Sequence, residues 1–287
     1  MQWHAHFPGL TFVRIILAAC VLILAGGAFA FQREFREFPG ERPLPLPANA
    51  LDPAEFVFGH LMYPDGGGGF GGGFRGRRGG FGRDWRQGGT NWTNDYPAAD
   101  RHLMTALQRL TLVHARSAEQ PINLEDDDDI FNWPFLYAVR VTSIDLDENM
   151  LTKLREYINR GGFFVADDVW GAGEHQAILD TVERLYPDRD LTELGNDDTV
   201  MHMLFDLNDR YQILGQWGRY NLQPLNGAYD PHWRGVFDEK ERMILAVWLN
   251  NDTGDSWEWA DDPSYPEAWS ALGIRIMLNH IIYAMTH

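Results

Sequence analysis

Residues 154–175, LREYINRGGFFVADDVWGAGEH, carry the change of periodicity that decides the fold. Just upstream, Asp147 is a natural helix N-cap, and Glu148 sits in the first turn, where the helix dipole favours an acid. Leu151, Leu154 and Ile158 then recur on one helical face. Arg160 falls in the last turn and Gly161 just past it, the usual stop signal. Residues 163–166, FFVA, are apolar without alternation, which predicts a strand covered on both faces, as in a parallel sheet. The run stops at Asp167-Asp168. Ligands of open α/β sheets bind beyond the carboxyl ends of strands, so these two acids are the first site candidates. Asp is also common in turns, and capping of the next turn competes on equal terms.

The same alternation extends outward. Strands are predicted at 56–63, at 121–124, at 135–141 and at 243–249. A helix capped by Asp100 carries Leu103, Leu107 and Leu110 on its buried face, and a second covers 176–185. Residues 267–285 form a long, largely apolar helix. Arg275, Asn279 and His280 inside it would be costly in lipid, so it is expected to pack on the sheet. Residues 188–229 show little period and read as loops with short elements. This order predicts a three-layer α/β/α sandwich around a mostly parallel sheet.

The first 30 residues read as an export signal. Arg14 precedes an apolar run at 15–24, small residues follow, and Ala28-Phe29-Ala30 fits an A-x-A cleavage site. The expectation is a periplasmic or secreted protein using a Sec-type signal, with an uncleaved N-terminal membrane anchor as the alternative. Leu17-Ala18-Ala19-Cys20 mimics a lipoprotein box, but the apolar run continues past the cysteine. Cys20 is the only cysteine, so a cleaved chain would have no disulfide, no thiolate nucleophile and no Cys-ligated metal. Net charge is −17, which repels nucleic acid and anionic lipid.

Residues 31–53 read as a proline-rich tether, and residues 54–287 as the globular domain. Within that domain, residues 65–89 form a low-complexity insertion in which 13 of 25 residues are Gly, predicted to be flexible and without a core. Its Arg-Gly runs resemble RNA-binding tails, but export and an acidic chain argue against that use. No Gly-Lys-Ser/Thr follows, as a phosphate loop would require. The five acids at 125–129 lack the spacing of an EF-hand loop and read as solvated.

Several short pieces then carry a resemblance: Leu61-Met62-Tyr63, Trp92 with Asp95-Tyr96-Pro97, and Pro134-Phe135-Leu136-Tyr137. Leu154-Arg155 with Gly161-Gly162-Phe163, Asp167-Asp168, and Asn279 with Tyr283-Ala284 and Thr286-His287 complete it. In this order they resemble the domain-of-unknown-function 4159 family over residues 54–287. The resemblance implies a class I glutamine amidotransferase-like, flavodoxin-like fold, an envelope location in bacteria and no established activity. Amidotransferases need a nucleophilic Cys at a tight strand-to-helix turn, and residues 54–287 contain none, which excludes that chemistry.

No other catalytic set is complete. No serine lies in G-x-S-x-G. Asp167, Asp168, Glu174, His175 and His202 offer metal-ligand atoms, but their spacing matches no metal signature, and neither a metal nor another cofactor is assigned. The aromatics Tyr63, Trp92, Tyr96 and Tyr137 fit core packing at least as well as a cleft. The sequence therefore predicts a non-catalytic domain that binds a polar small ligand or an envelope protein. A metal-dependent hydrolase of an envelope substrate, centred on Asp167 and Asp168, is the alternative. Ligand contacts are expected from Trp92, Asp95, Tyr96, Asp167, Asp168, Asn250 and Asp252. The loops after Tyr63, Val141, Ala166 and Leu249 should share one rim of the sheet.

Overall fold

A computed structural model of the chain describes residues 35–66 and 84–287. The strands are β1 (Phe58–Met62), β2 (Gln120–Asn123), β3 (Phe135–Ala138), β4 (Phe163–Val169), β5 (Thr192–Glu193), β6 (His232–Phe237) and β7 (Met243–Leu249). The helices are α1 (Ala98–Leu110), α2 (Glu148–Asn159), α3 (Gly171–Leu185), α4 (Gly215–Asn221), α5 (Thr253–Glu258) and α6 (Glu267–Thr286). They build one sheet in the order β2-β1-β3-β4-β7-β6-β5. The first five strands of that order are parallel, and β6 and β5 add an antiparallel edge. From β1 the chain goes to β2 on one side and returns to β3 on the other. The reversal places a topological switch point between β1 and β3, as in flavodoxin-like sheets.

All seven residues of β4 are buried. Phe164 and Ala166 face the layer of α2 and α3, with Leu154, Ile158, Ile178 and Val182. Phe163 and Val165 face the layer of α1, α5 and α6, with Leu103, Leu107, Trp257 and Ile276. The fold is therefore a three-layer α/β/α sandwich, and the lack of alternation in FFVA follows from helices on both sides. At the start of α2, Asp147 accepts hydrogen bonds from the Asn149 and Met150 amides at 2.9 Å, as the sequence led us to expect.

Several boundaries differ from the sequence reading. Helix α1 begins at Ala98, so Asp100 lies inside its first turn instead of capping it, buried against His60 at 2.8 Å. Helix α3 begins at Gly171, five residues before the predicted start. The antiparallel edge went unpredicted because Arg234 and Gly235 break the apolar pattern of β6 and β5 is two residues long. Residues 35–53 are not a free tether. Phe38 is buried with its ring 5.4 Å from Trp92, and Arg42 reaches Asp261 at 2.9 Å. Of the predicted insertion, residues 67–83 lie outside the described residues, whereas 84–89 pack on the domain through buried Trp85. The predicted export signal and Cys20 also lie outside the described residues. Among the described residues no helix is long and apolar enough to cross a membrane, and in α6 Asn279 and His280 are fully buried.

Candidate functional site

The parallel strands β1, β3, β4 and β7 all end on one edge, and strained backbone collects there. Asp95 (φ 61°), Arg140 (φ 50°), Asp168 (φ 60°) and Asn250 (φ 56°) are all left-handed. Each such residue costs about 1–2 kcal/mol, and strain of this kind concentrates at functional sites. At the end of β4 the pairing with β7 slips. Ala166 sits opposite Val247 and Val169 opposite Leu249, so three steps on β4 match two on β7. The bulge gives the two acids separate tasks. Asp167 Oδ2 accepts from Tyr137 Oη at 3.0 Å, from the Gly254 amide at 3.0 Å and from Thr253 Oγ1. Asp168 Oδ1 accepts from Trp170 Nε1 at 2.6 Å.

Beside them lies a tighter group. Carboxylate oxygens of Asp95, Asp252 and Asp255 fall within 4.8 Å of one another, and all three residues are buried. Asp252 and Asp255 come from the first turn of α5. Asp252 caps it, its Oδ1 accepting from the Asp255 amide at 3.0 Å. Asp255 accepts from Trp259 Nε1 at 3.0 Å and from the Gln216 amide at 2.6 Å. Asp95 Oδ1 accepts from Asn94 Nδ2 at 2.5 Å, but Asp95 Oδ2 has no hydrogen-bond partner. No donor reaches either oxygen of the fully buried Glu258, whose carboxyl lies within hydrogen-bonding reach of Asp255. Two glycines let the group close. A Cβ on Gly254 would overlap Asp95 Oδ2, and one on Gly215 would overlap Asp252 Oδ2.

Two buried carboxylates elsewhere in this fold have cationic partners. Asp100 meets His60, whose other nitrogen donates to the Trp92 carbonyl at 2.7 Å, and Glu119 meets Arg101 at 3.1 Å. A carboxylate on one nitrogen and a carbonyl on the other favour the doubly protonated imidazole. Burial is the largest single influence and lowers its pKa, but Asp100, the Trp92 carbonyl and Glu119 together outweigh it and the net shift is upward. At the edge, no Lys, Arg or His among the described residues makes an ion pair with Asp95, Asp252 or Asp255. Burial, then the charge of Asp255, pushes the pKa values of Asp95 and Asp252 well above the usual carboxylate range. Burial also raises Glu258 to about 9, again with Asp255 adding to it. Asp167 rises to about 7 through burial, which its Thr253 bond only partly offsets. Burial raises Asp168 too, against the opposing charge of Arg140.

Of the residues proposed from sequence, Asp95, Asp167, Asp168, Asn250 and Asp252 lie at this edge, and Trp92 and Tyr96 do not join them. Trp92 and Tyr96 are fully buried core residues, Trp92 donating to the Trp85 carbonyl at 2.8 Å. Asn250 ties loops together, accepting from the Gly171 amide at 2.9 Å and donating to the Asp230 carbonyl at 2.7 Å. Glu174 accepts from the Trp170 amide at 2.8 Å, His175 accepts from Arg234, and His202 pairs with Asp206. None of these three belongs to the carboxylate group. Asp255 and Glu258 were missed. The available signal was Asp252-Thr253-Gly254-Asp255, an N-cap followed three residues later by an acid that opens a helix.

A family profile described as Domain of unknown function (DUF4159) matches residues 84–285, which include every member of the carboxylate group. No curated protein matches the chain.

Proposed function

This chain belongs to the DUF4159 family, whose description assigns no activity, and we propose that it is a cation-dependent binding domain acting outside the cytoplasm. The observation that carries this reading is the Asp95–Asp252–Asp255 group, buried, in no direct ion pair among the described residues and with Asp95 Oδ2 unpaired. Burying ionised carboxylates without compensation is prohibitively costly, so the group must hold protons or a cation. Its donors are all carboxylate oxygens, the chemistry of calcium, magnesium or manganese and not of soft metals. Oxygens bound to one calcium ion at about 2.4 Å lie no more than roughly 5 Å apart, and these three lie within 4.8 Å of one another.

The acids come from the loop before α1 and from the turn after β7, so a bound ion would join two segments at the sheet edge. Hydrolysis requires a coordination position open to substrate. The three acids are only 1–6% exposed, which favours an ion that organises a binding edge over a catalytic one. Action outside the cytoplasm rests on the sequence pattern of residues 1–30, and the acidic charge suits a partner that is not anionic.

The test is calorimetry of protein stripped with a chelator and then titrated with CaCl2, MgCl2 or MnCl2. At least one ion should raise the melting temperature at a stoichiometry of one, and Asp255→Asn should abolish the rise. Protein purified without chelator that contains no stoichiometric divalent metal, and does not respond to any of the three ions, would sink the reading.

A further inference from the structure

Residues 211–229, YQILGQWGRYNLQPLNGAY, form a surface unlike the rest of the molecule. They contain no Asp or Glu in a chain that has 41, and Arg219 is their single charge. Among the described residues all four exposed large aromatic side chains lie here: Tyr211 (39% exposed), Trp217 (52%), Tyr220 (74%) and Tyr229 (60%). The segment is a closed loop. Gln212 Nε2 donates to the Ala228 carbonyl at 2.6 Å and to the Asn250 carbonyl at 2.8 Å, which pins its two ends. Trp217 and Tyr220 are three apart on α4 and share a helical face. Tyr229 Oη donates to Gln223 Oε1 at 2.5 Å, which brings a third ring beside the end of that helix. The Arg219 guanidinium stacks 4.7 Å from the Tyr220 ring and 4.9 Å from Trp259, and is anchored on Asp262 at 3.1 Å.

We propose that this loop is a carbohydrate-binding face for a neutral glycan. Exposed aromatic side chains gathered on one short segment, Trp217 and Tyr220 on α4 and Tyr229 beside its end, mark a binding site. The rings offer flat apolar faces for the C–H faces of sugar rings. The exposed side chains of Asn221 and Gln223, whose amide oxygens accept from the Gln223 amide and from Tyr229, present their NH2 groups as uncharged donors for hydroxyls, and Asn226, which donates to the Trp170 carbonyl, presents its oxygen as an acceptor. The only charge in the segment, Arg219, is already held by Asp262, so the face selects neither an anion nor a cation and suits an uncharged ligand. A second copy of the chain fits less well, because stable protein interfaces use about 20–30 residues a side and this patch exposes far fewer. The proposal is independent of the cation reading, since none of these aromatic or amide side chains belongs to the carboxylate group.

The experiment titrates the full chain with cellohexaose, chitohexaose and maltohexaose and follows tryptophan fluorescence, with calcium present and with chelator. At least one saccharide should quench the signal saturably. Tyr220→Ala should weaken that binding about tenfold with an unchanged melting temperature, as expected for an exposed anchor. Saccharide binding that survives the chelator supports this face even if the cation reading fails. Failure of all three saccharides, or binding unchanged in Tyr220→Ala, overturns it. So would a dimer in sedimentation that Tyr220→Ala dissociates, or flotation with phosphatidylglycerol vesicles, when no saccharide responds.

Discussion

At the scale of single residues, the contrast between paired and unpaired carboxylates makes a pH dependence calculable. Burial raises Asp167 to about 7 and Glu258 to about 9, and Asp95 and Asp252 move the same way. In the unfolded chain such groups ionise near pH 4, so between about pH 4 and 9 the folded protein holds more protons than the unfolded one. Stability from these groups therefore falls as pH rises through that window, by at most about 4 kcal/mol for Asp167 alone. A bound divalent ion selects the ionised forms and would flatten the slope. Urea denaturation at pH 5, 7 and 9, with chelator and with calcium, reads both effects. Stability of the chelated protein that climbs from pH 5 to 9 would contradict the account. Asp167 and Asp168 were legible as site candidates because an apolar run ends on them. Asp255 was not, because its place depends on a six-residue helix too short to show a period.

At the scale of elements, the turn from β7 into α5 builds the edge. Its strand was legible from MILAVWL, a run buried throughout. Its helix was not, and with it went the role of Gly254, whose Cα faces Asp95 Oδ2 and the Tyr137 hydroxyl. Gly254→Ala would set a methyl 2.8 Å from Tyr137 Oη and drive Asp95 away. Both neighbours are buried and Tyr137 Oη is held by Asp167 at 3.0 Å, so relief needs movement of packed groups, at a cost of about 1–3 kcal/mol. Gly173, in α3, meets nothing within 4 Å, so Gly173→Ala should be neutral or stabilising by up to about 1 kcal/mol. Denaturant midpoints of the pair provide the comparison. An unaltered midpoint in Gly254→Ala would show that the turn is looser than its packing implies.

At the scale of the whole molecule, the layered sandwich was legible because parallel strands buried on both faces leave a strong apolar signature in sequence. The extent of the domain was not, because the prolines of residues 31–53 suggest a stiff spacer. The overlooked signal in that stretch was aromatic and charged. Phe38 enters the core, Glu37 reaches Arg101 at 2.6 Å, Arg101 also donates to the Leu44 carbonyl, and Arg42 donates to the Glu258 carbonyl. This strap thus holds α1 and the end of α5, the two elements next to the carboxylate group. Removing a buried Phe side chain costs about 3–5 kcal/mol. In a domain of this size each kcal/mol shifts the melting temperature by about 2–4 °C. A chain that starts at Phe35 should therefore melt like the whole protein, whereas one that starts at Ala54 should melt about 10 °C lower or more. If the edge depends on the strap, the shorter chain should also bind divalent ions more weakly, because Arg42 no longer fixes the end of α5. Equal melting temperatures for the two chains would show that residues 35–53 lie on the domain without supporting it.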